Sequence, residues 1–424
     1  MAASLLALPV SAQAESLSQL VEKALLQDAS YAAARENWLA SQQLLPQAQS
    51  ALKPRAELSA SAYQNHLDSD EIPGAQDYPS ANLQLTLRQP LYRKQNDIAL
   101  QQAELQVAQA EVALAQARQS LILRVAQAYV DLLDENANAE LLAAQLEASS
   151  ASMAQAQRRY DLGSNTLTDI EEARSRLDLI KARVIATNNN VQLRRRALTA
   201  ILGSPAADVD SLSLALPAQT LAFSDLDLWI EKSRQGNPQL RIQQIASRLA
   251  RREIRRQESL DNATLDLVFS HQLDTSDGEQ AYGLGNDSNA SRIGLQLNIP
   301  LYTGGGSAAL QREAGYRANA ASFEEENACR LAEFDTSQAF LSLVNGIAQM
   351  EALKQAVRSS ESSLQASLRG WELGTRTTAD LLDAQQQLYS AQRDLNQARY
   401  QVMMNRLRLY ASVGELDDDK LLQI

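Results

Sequence analysis

The chain has 424 residues, of which 16 are Gly and 10 are Pro, about half of the roughly 12% that these two punctuating residues usually supply; long uninterrupted elements are expected rather than three ordinary domains of roughly 150 residues. A net charge of -12 speaks against a nucleic-acid partner, which needs a basic footprint, and the short cluster Arg251, Arg252, Arg255 and Arg256 reads as a solvated helix face. Aromatic residues at 5% and a mean hydropathy of -0.31 leave little bulk for several thick cores, and a single cysteine, Cys329, excludes an internal disulfide.

Residues 1–14, MAASLLALPVSAQA, read as a truncated remnant of a secretory signal peptide that closes on the small-residue site from Ser11 to Ala14, so the mature chain is expected to begin at Glu15. Export is implied. No apolar run approaches the roughly 18 to 20 residues of a membrane-spanning helix, so an exported chain is either free in the periplasm or crosses a bilayer by strands.

A helical segment is expected over about 16–45. Two strands follow, over about 54–66 and 81–91, each alternating with period two. Leu58, Ala60 and Ala62 oppose Glu57, Ser59, Ser61 and Tyr63; Leu83, Leu85 and Leu87 oppose Gln84, Thr86 and Arg88. One greasy face and one polar face suit a barrel with lipid outside and water inside. The polar connection 64–80 is expected to be a loop.

From residue 91 to 162 there is neither Gly nor Pro, and a helix over about 92–162 at 1.5 Å per residue would run for roughly 100 Å. Its heptads form two seams. One holds Leu100, Val107, Leu114 and Leu121 with Ala103, Ala110 and Ala117; the other holds Ile98, Leu105 and Val112 with Ala108, Ala115 and Ile122. The starting positions lie about 200° apart around the helix, so it has neighbours on two flanks. Between the seams run a glutamine stripe, Gln95, Gln102, Gln109 and Gln116, and a charged stripe, Glu104, Glu111 and Arg118. Both stripes are expected to be wet, as in the wall of a water-filled tube. A short turn at Leu162-Gly163-Ser164 leads to a return helix over 166–202.

An equatorial linker is placed at 204–224, and from there the design repeats with an offset of about 210 residues, the mark of an internal duplication. Pro90-Leu91-Tyr92 recurs as Pro300-Leu301-Tyr302. Leu162-Gly163-Ser164 with Thr166 and Asp169 recurs as Leu373-Gly374-Thr375 with Thr377 and Asp380, and Gly203 recurs as Gly414. The first repeat is thus 15–203 and the second 225–414. Within the second, helix is expected over about 225–258, strands over about 260–273 and 290–300 with a loop at 272–290, a long helix over about 303–373, and a return helix over 377–413. Gly315, Gly346 and Gly370 are expected to bend or break that long helix. Residues 415–424 form a C-terminal tail.

Four strands do not close a barrel, since transmembrane barrels start at about eight. Two, three or four chains sharing one barrel would give eight, twelve or sixteen strands, and the pattern leaves these open. Enzyme signals are poor. The only histidines, His66 and His271, show no metal-ligand spacing or triad, and Gly304-Gly305-Gly306 lacks the Lys-Ser/Thr ending of a phosphate loop. No cofactor is expected. A soluble periplasmic coiled-coil adaptor is the alternative; it explains the helices but not the lipid-style strands.

The duplicated layout, the two Leu-Gly turns and the run G-T-R-T-x-x-D-L-L-D from Gly374 to Asp383 resemble the TolC family of outer-membrane efflux and secretion channels, over nearly the whole mature chain. The resemblance implies an α+β membrane protein: a homotrimer with one 12-stranded outer-membrane barrel, four strands per chain, continued by a long α-helical barrel through the periplasm. It also implies a periplasmic adaptor (a membrane fusion protein) and an inner-membrane transporter as partners, and drug efflux or type I protein secretion as the traffic. By the same resemblance, Asp380 and Asp383 match acidic rings of the periplasmic gate, and Asp169 with Arg376 and Thr168 with Trp371 match bonds that hold the mouth closed. Trp371 retains a donor but lacks the acceptor of a tyrosine. The turns Leu162, Gly163, Ser164 and Leu373, Gly374, Thr375 would meet the adaptor. A local role stands beside the gate for Asp380: Thr377-x-x-Asp380 reads as a capping box with Asp in the usual Glu position, repeated at Thr166-x-x-Asp169.

Overall fold

The computed structural model describes residues 16–70, 72–164, 166–204, 225–278, 283–417 and 420. The signal remnant 1–14, nearly all of the linker 204–224 and most of the tail 415–424 lie outside the described residues. The chain divides into two compact units, one of Met1–Arg35, Ala113–Arg241 and Ala328–Ile424 and one of Glu36–Val112 and Ile242–Asn327. The elements in chain order are α1 (Leu17–Gln27), α2 (Ala29–Gln42), α3 (Leu44–Ser50), β1 (Arg55–Ser69), β2 (Ile72–Tyr92), α4 (Lys94–Asp161), α5 (Leu167–Leu202), α6 (Leu226–Gly236), α7 (Pro238–Glu258), β3 (Thr264–Ser276), β4 (Ser288–Asn298), α8 (Gly306–Glu372) and α9 (Thr378–Ser412), with one 3-10 turn at Ser259–Asp261.

The second unit holds one antiparallel sheet in the order β1-β2-β3-β4. Its register puts like with like. Leu58 faces Leu85, Leu83 faces Leu273, and the row Ala56–Leu87–Phe269–Ile293 is apolar across all four strands, while the row from Leu58 and Leu85 ends in the polar pair His271–Ser291. On the opposite face Asp274 accepts hydrogen bonds from Asn82 (2.6 Å), Gln272 (2.9 Å) and Ser288 (3.1 Å). Greasy side chains on β4 lie open, with Ile293 74% and Leu295 67% exposed. Within one chain β1 and β4 each have a single neighbour, which leaves two unpaired edges.

Most of the expected loop 64–80 is strand. The ladder continues to Ser69 and resumes at Ile72 because polar cross-strand pairs carry it: Asn65 donates to the Tyr78 carbonyl (3.2 Å) and to Ser80 (2.8 Å), and His66 lies 2.7 Å from Asp77. Hydrophobic alternation is blind to a ribbon that is polar on both faces. The loop expected at 272–290 likewise loses its ends to β3 and β4.

Where sheet meets helix, Asp266 of β3 is buried and accepts from Arg93, just ahead of α4, at 2.9 and 2.5 Å, and from Arg88 at 3.4 Å. The glutamine stripe is not a wet face. Gln102 donates to Glu253 of α7 (2.9 Å) and Gln109 to the Ile242 carbonyl (3.4 Å); a long amide satisfies a neighbouring helix where water was expected.

The first unit carries the main core, in which Leu20, Leu121, Leu132, Leu198, Leu343 and Leu407 are fully buried. Gln116 bonds Gln239 at 3.1 Å here. The segment expected as one helix over 225–258 splits at Asn237-Pro238, since proline cannot donate to the turn before it. Asn237 instead caps α7 through the Leu240 N–H (3.0 Å) and holds the Ser412 carbonyl (2.9 Å). The segment over 16–45 is also broken, without a proline, at Asp28, which caps α2 through the Tyr31 N–H (2.7 Å) and pairs with Arg124 at 3.0 Å. The expected break in α8 is absent: the helix runs unbroken through Gly315, Gly346 and Gly370. Gly346 is there for closeness, since a Cβ would stand 3.2 Å from Val402 of α9.

Candidate functional site

The candidate residues all lie in the first unit, where α4 turns into α5 and α8 turns into α9. Both turns have one design. Gly163 and Gly374 take φ of 73° and 75°, a left-handed conformation that closes a helix without a Cβ penalty. Ser164 N–H returns to the Arg159 carbonyl and Gly163 N–H to Tyr160, each at 2.8 Å; Thr375 N–H returns to Gly370 at 2.8 Å and Gly374 N–H to Trp371 at 3.1 Å. Leu162 and Leu373 ride the turns at 81% and 80% exposure.

A reciprocal cap then starts each return helix. The Asp169 carboxylate accepts from Thr166 N–H (2.8 Å) while Thr166 Oγ1 accepts from Asp169 N–H (3.3 Å). Asp380 and Thr377 repeat this at 2.9 and 3.1 Å. The Thr377 backbone N–H, then its hydroxyl, then the charge of Arg376 hold the Asp380 carboxyl below the usual carboxylate range. Asp380 is therefore ionised and fixed in place.

Three residues further along, Asp383 is exposed and lies past the reach of the cap. Its partner is Arg176 of α5, which forms an ion pair with it. Trp371 is buried at 3% exposure. Its indole N–H donates to Thr378 Oγ1 at 3.3 Å, and the Arg159 guanidinium stacks 3.8 Å from the ring centroid while donating to the Trp371 carbonyl.

Within one chain the expected lock pairs are not made. Asp169 closes its own cap, Thr168 is exposed, and the donor of Trp371 goes to Thr378 rather than to Thr168. Arg376 lies over Gly370, where a Cβ would meet its Cγ at 2.7 Å. Sequence reasoning missed Arg159 and Arg176. Both sit among other arginines, and nothing in local spacing distinguishes a guanidinium that crosses to another helix from one that faces water.

The pattern of the family described as outer membrane efflux protein matches residues 20–204 and 229–415. The outer membrane protein TolC of Vibrio cholerae serotype O1 is 30% identical over 97% of this chain and 93% of its own. The proteases secretion protein PrtF of Dickeya chrysanthemi is 28% identical over 98% of this chain and 91% of its own. The crystal structure of the outer membrane protein VceC from Vibrio cholerae superposes with a TM-score of 0.77 at 20% identity, covering 95% of this chain and 97% of that one. CusC superposes with a TM-score of 0.82 at 16% identity, covering 95% and 92%.

Proposed function

The chain belongs to the outer membrane efflux protein family, and we propose that three copies share one barrel and one helical tunnel whose periplasmic mouth is formed by the two tips. The protein is a non-enzymatic outer-membrane channel with a periplasmic helical domain. The observation that carries this is the doubled match: the family pattern falls once on each helix–strand–strand–helix repeat, which we take as 15–203 and 225–414.

The strands supply the physical reason for sharing. A sheet with one mainly apolar face and two unpaired edges is not a finished membrane structure, because every backbone group in lipid needs a partner. Edge-to-edge pairing of β4 with the next copy's β1 removes both edges, and three copies make a 12-stranded barrel. Among the described residues no helix is long and apolar enough to cross a membrane. The exposed Ile293, Leu295 and Leu297 of β4 are what suits the sheet to lipid.

At the mouth, Asp380 and Asp383 of three copies would form two acidic rings, and Asp169, Thr168, Arg376 and Trp371 would hold the closed state through contacts between copies. The turns Leu162-Gly163-Ser164 and Leu373-Gly374-Thr375 would seat a periplasmic adaptor, with an inner-membrane transporter beyond it. Relatives include protease secretion proteins as well as TolC, so the duct serves efflux or type I secretion. The test is single-channel recording on protein extracted from salt-washed outer membranes. Replacing Asp380 and Asp383 together by Ala should enlarge conductance and weaken block by a multivalent cation; unchanged values would remove the acidic rings from the mouth.

A further inference from the structure

Resting on that reading of the mouth, we propose that Arg176 is a specificity-determining residue of the channel: its guanidinium reaches from α5 to Asp383 of α9 and cancels part of the charge with which the mouth attracts cations. The two acidic positions are held in different ways. Asp380 is bonded to a backbone N–H and a hydroxyl of Thr377, and the charge of Arg376 acts on it without an ion pair. Asp383 is paired with a full positive charge.

The direction of Arg176 is informative. Glu172 lies one turn back on the same helix, at the spacing that favours an ion pair along a helix surface, yet the guanidinium bridges across to Asp383. It lines, with Arg183 two turns on, a groove of about 380 Å³ between α4, α5 and α9 whose other walls include Gln145, Ser149, Gln385 and Gln386. α5 therefore brings two cations to this groove, and of the two Arg176 is the one paired with Asp383.

A structural role explains the pair poorly. Its side chains are 35% and 68% exposed, and exposed ion pairs add little stability. The field of the pair is another matter. Charges at an aqueous mouth act over a Debye length of about 8 Å at physiological salt, and a trivalent ion feels every copy at once. Cancelling the Asp383 charge reduces the cation affinity of the mouth while leaving the Asp380 ring intact.

The experiment is block of single channels in planar bilayers by hexaamminecobalt(III). Arg176→Gln should tighten block by about tenfold, Arg176→Lys should leave it near the original value, and Arg176→Gln with Asp383→Asn should return it there, because charge is again balanced. Recovery of each variant from outer membranes checks folding. If Asp380→Asn weakens block while Arg176→Gln leaves it unchanged, the inference about Arg176 falls alone. If neither Asp380→Asn nor Asp383→Asn alters block, the reading of the mouth falls and takes this inference with it.

Discussion

The two tips are duplicates that have kept their backbone and changed their side chains. Each has the same left-handed glycine, the same pair of return hydrogen bonds and the same Thr-x-x-Asp cap. Yet Tyr160 in the first is 41% exposed, whereas Trp371 at the matching position is buried at 3% under Arg159. Arg159 itself matches Gly370 of the second tip, where the missing side chain makes room for Arg376. Turn chemistry is local and survives duplication. Pairing across helices is what divergence acts on, and it turns two equivalent hairpins into a donor and a receiver.

The two tips should differ most when their aromatics are truncated. Trp371→Ala removes a buried indole with its stacked guanidinium and should lower local stability by about 3 kcal/mol, whereas Tyr160→Ala should change it by less than about 1 kcal/mol. Hydrogen exchange of the tip amides reports each opening free energy directly. Equal losses would mean that the tips do not differ in the way their burial indicates.

The two turn glycines should respond alike. Gly163→Ala and Gly374→Ala meet no neighbour within 4 Å of the added Cβ, so only the left-handed backbone resists them, at about 1 to 2 kcal/mol each. The two losses should agree, and a large inequality would show that the tips are not one backbone used twice.

How much of this was legible beforehand follows the same division. The turns at Gly163 and Gly374, the caps at Thr166 and Thr377 and the apolar faces of the strands were readable, because each depends on residues a few positions apart. The hairpin beyond Asn65 was not, since its ladder is held by polar pairs that leave no hydrophobic period. Nor was the role of Gly346, a close approach to α9 that spacing along α8 does not encode. Gln102 looked solvated until Glu253, far along the chain, supplied a partner. At the candidate mouth, Asp380 could be read as a cap from its own segment. The partners of Asp383 and Trp371 come from the other repeat, and a single sequence carries no sign of which arginine crosses.

The smallest expected effect is a pH dependence at the second tip. The folded carboxyl of Asp380 lies below its ordinary value, chiefly through the backbone N–H of Thr377. A depressed carboxylate stabilises the folded form at pH values above the unfolded pKa of about 3.9, and that contribution disappears as pH falls through the lower folded value. Protection of the first-turn amides of α9, corrected for intrinsic exchange, should therefore be flat from about pH 6 to 5 and decline only below about 4. Asp380→Asn keeps a side-chain acceptor but has no charge to lose, so its protection should be lower at pH 6 and level through the acid range. A wild-type decline centred above the ordinary carboxylate pKa would contradict the cap as the cause, since a carboxyl facing only its neighbours' negative charge in the mouth would be shifted upward instead.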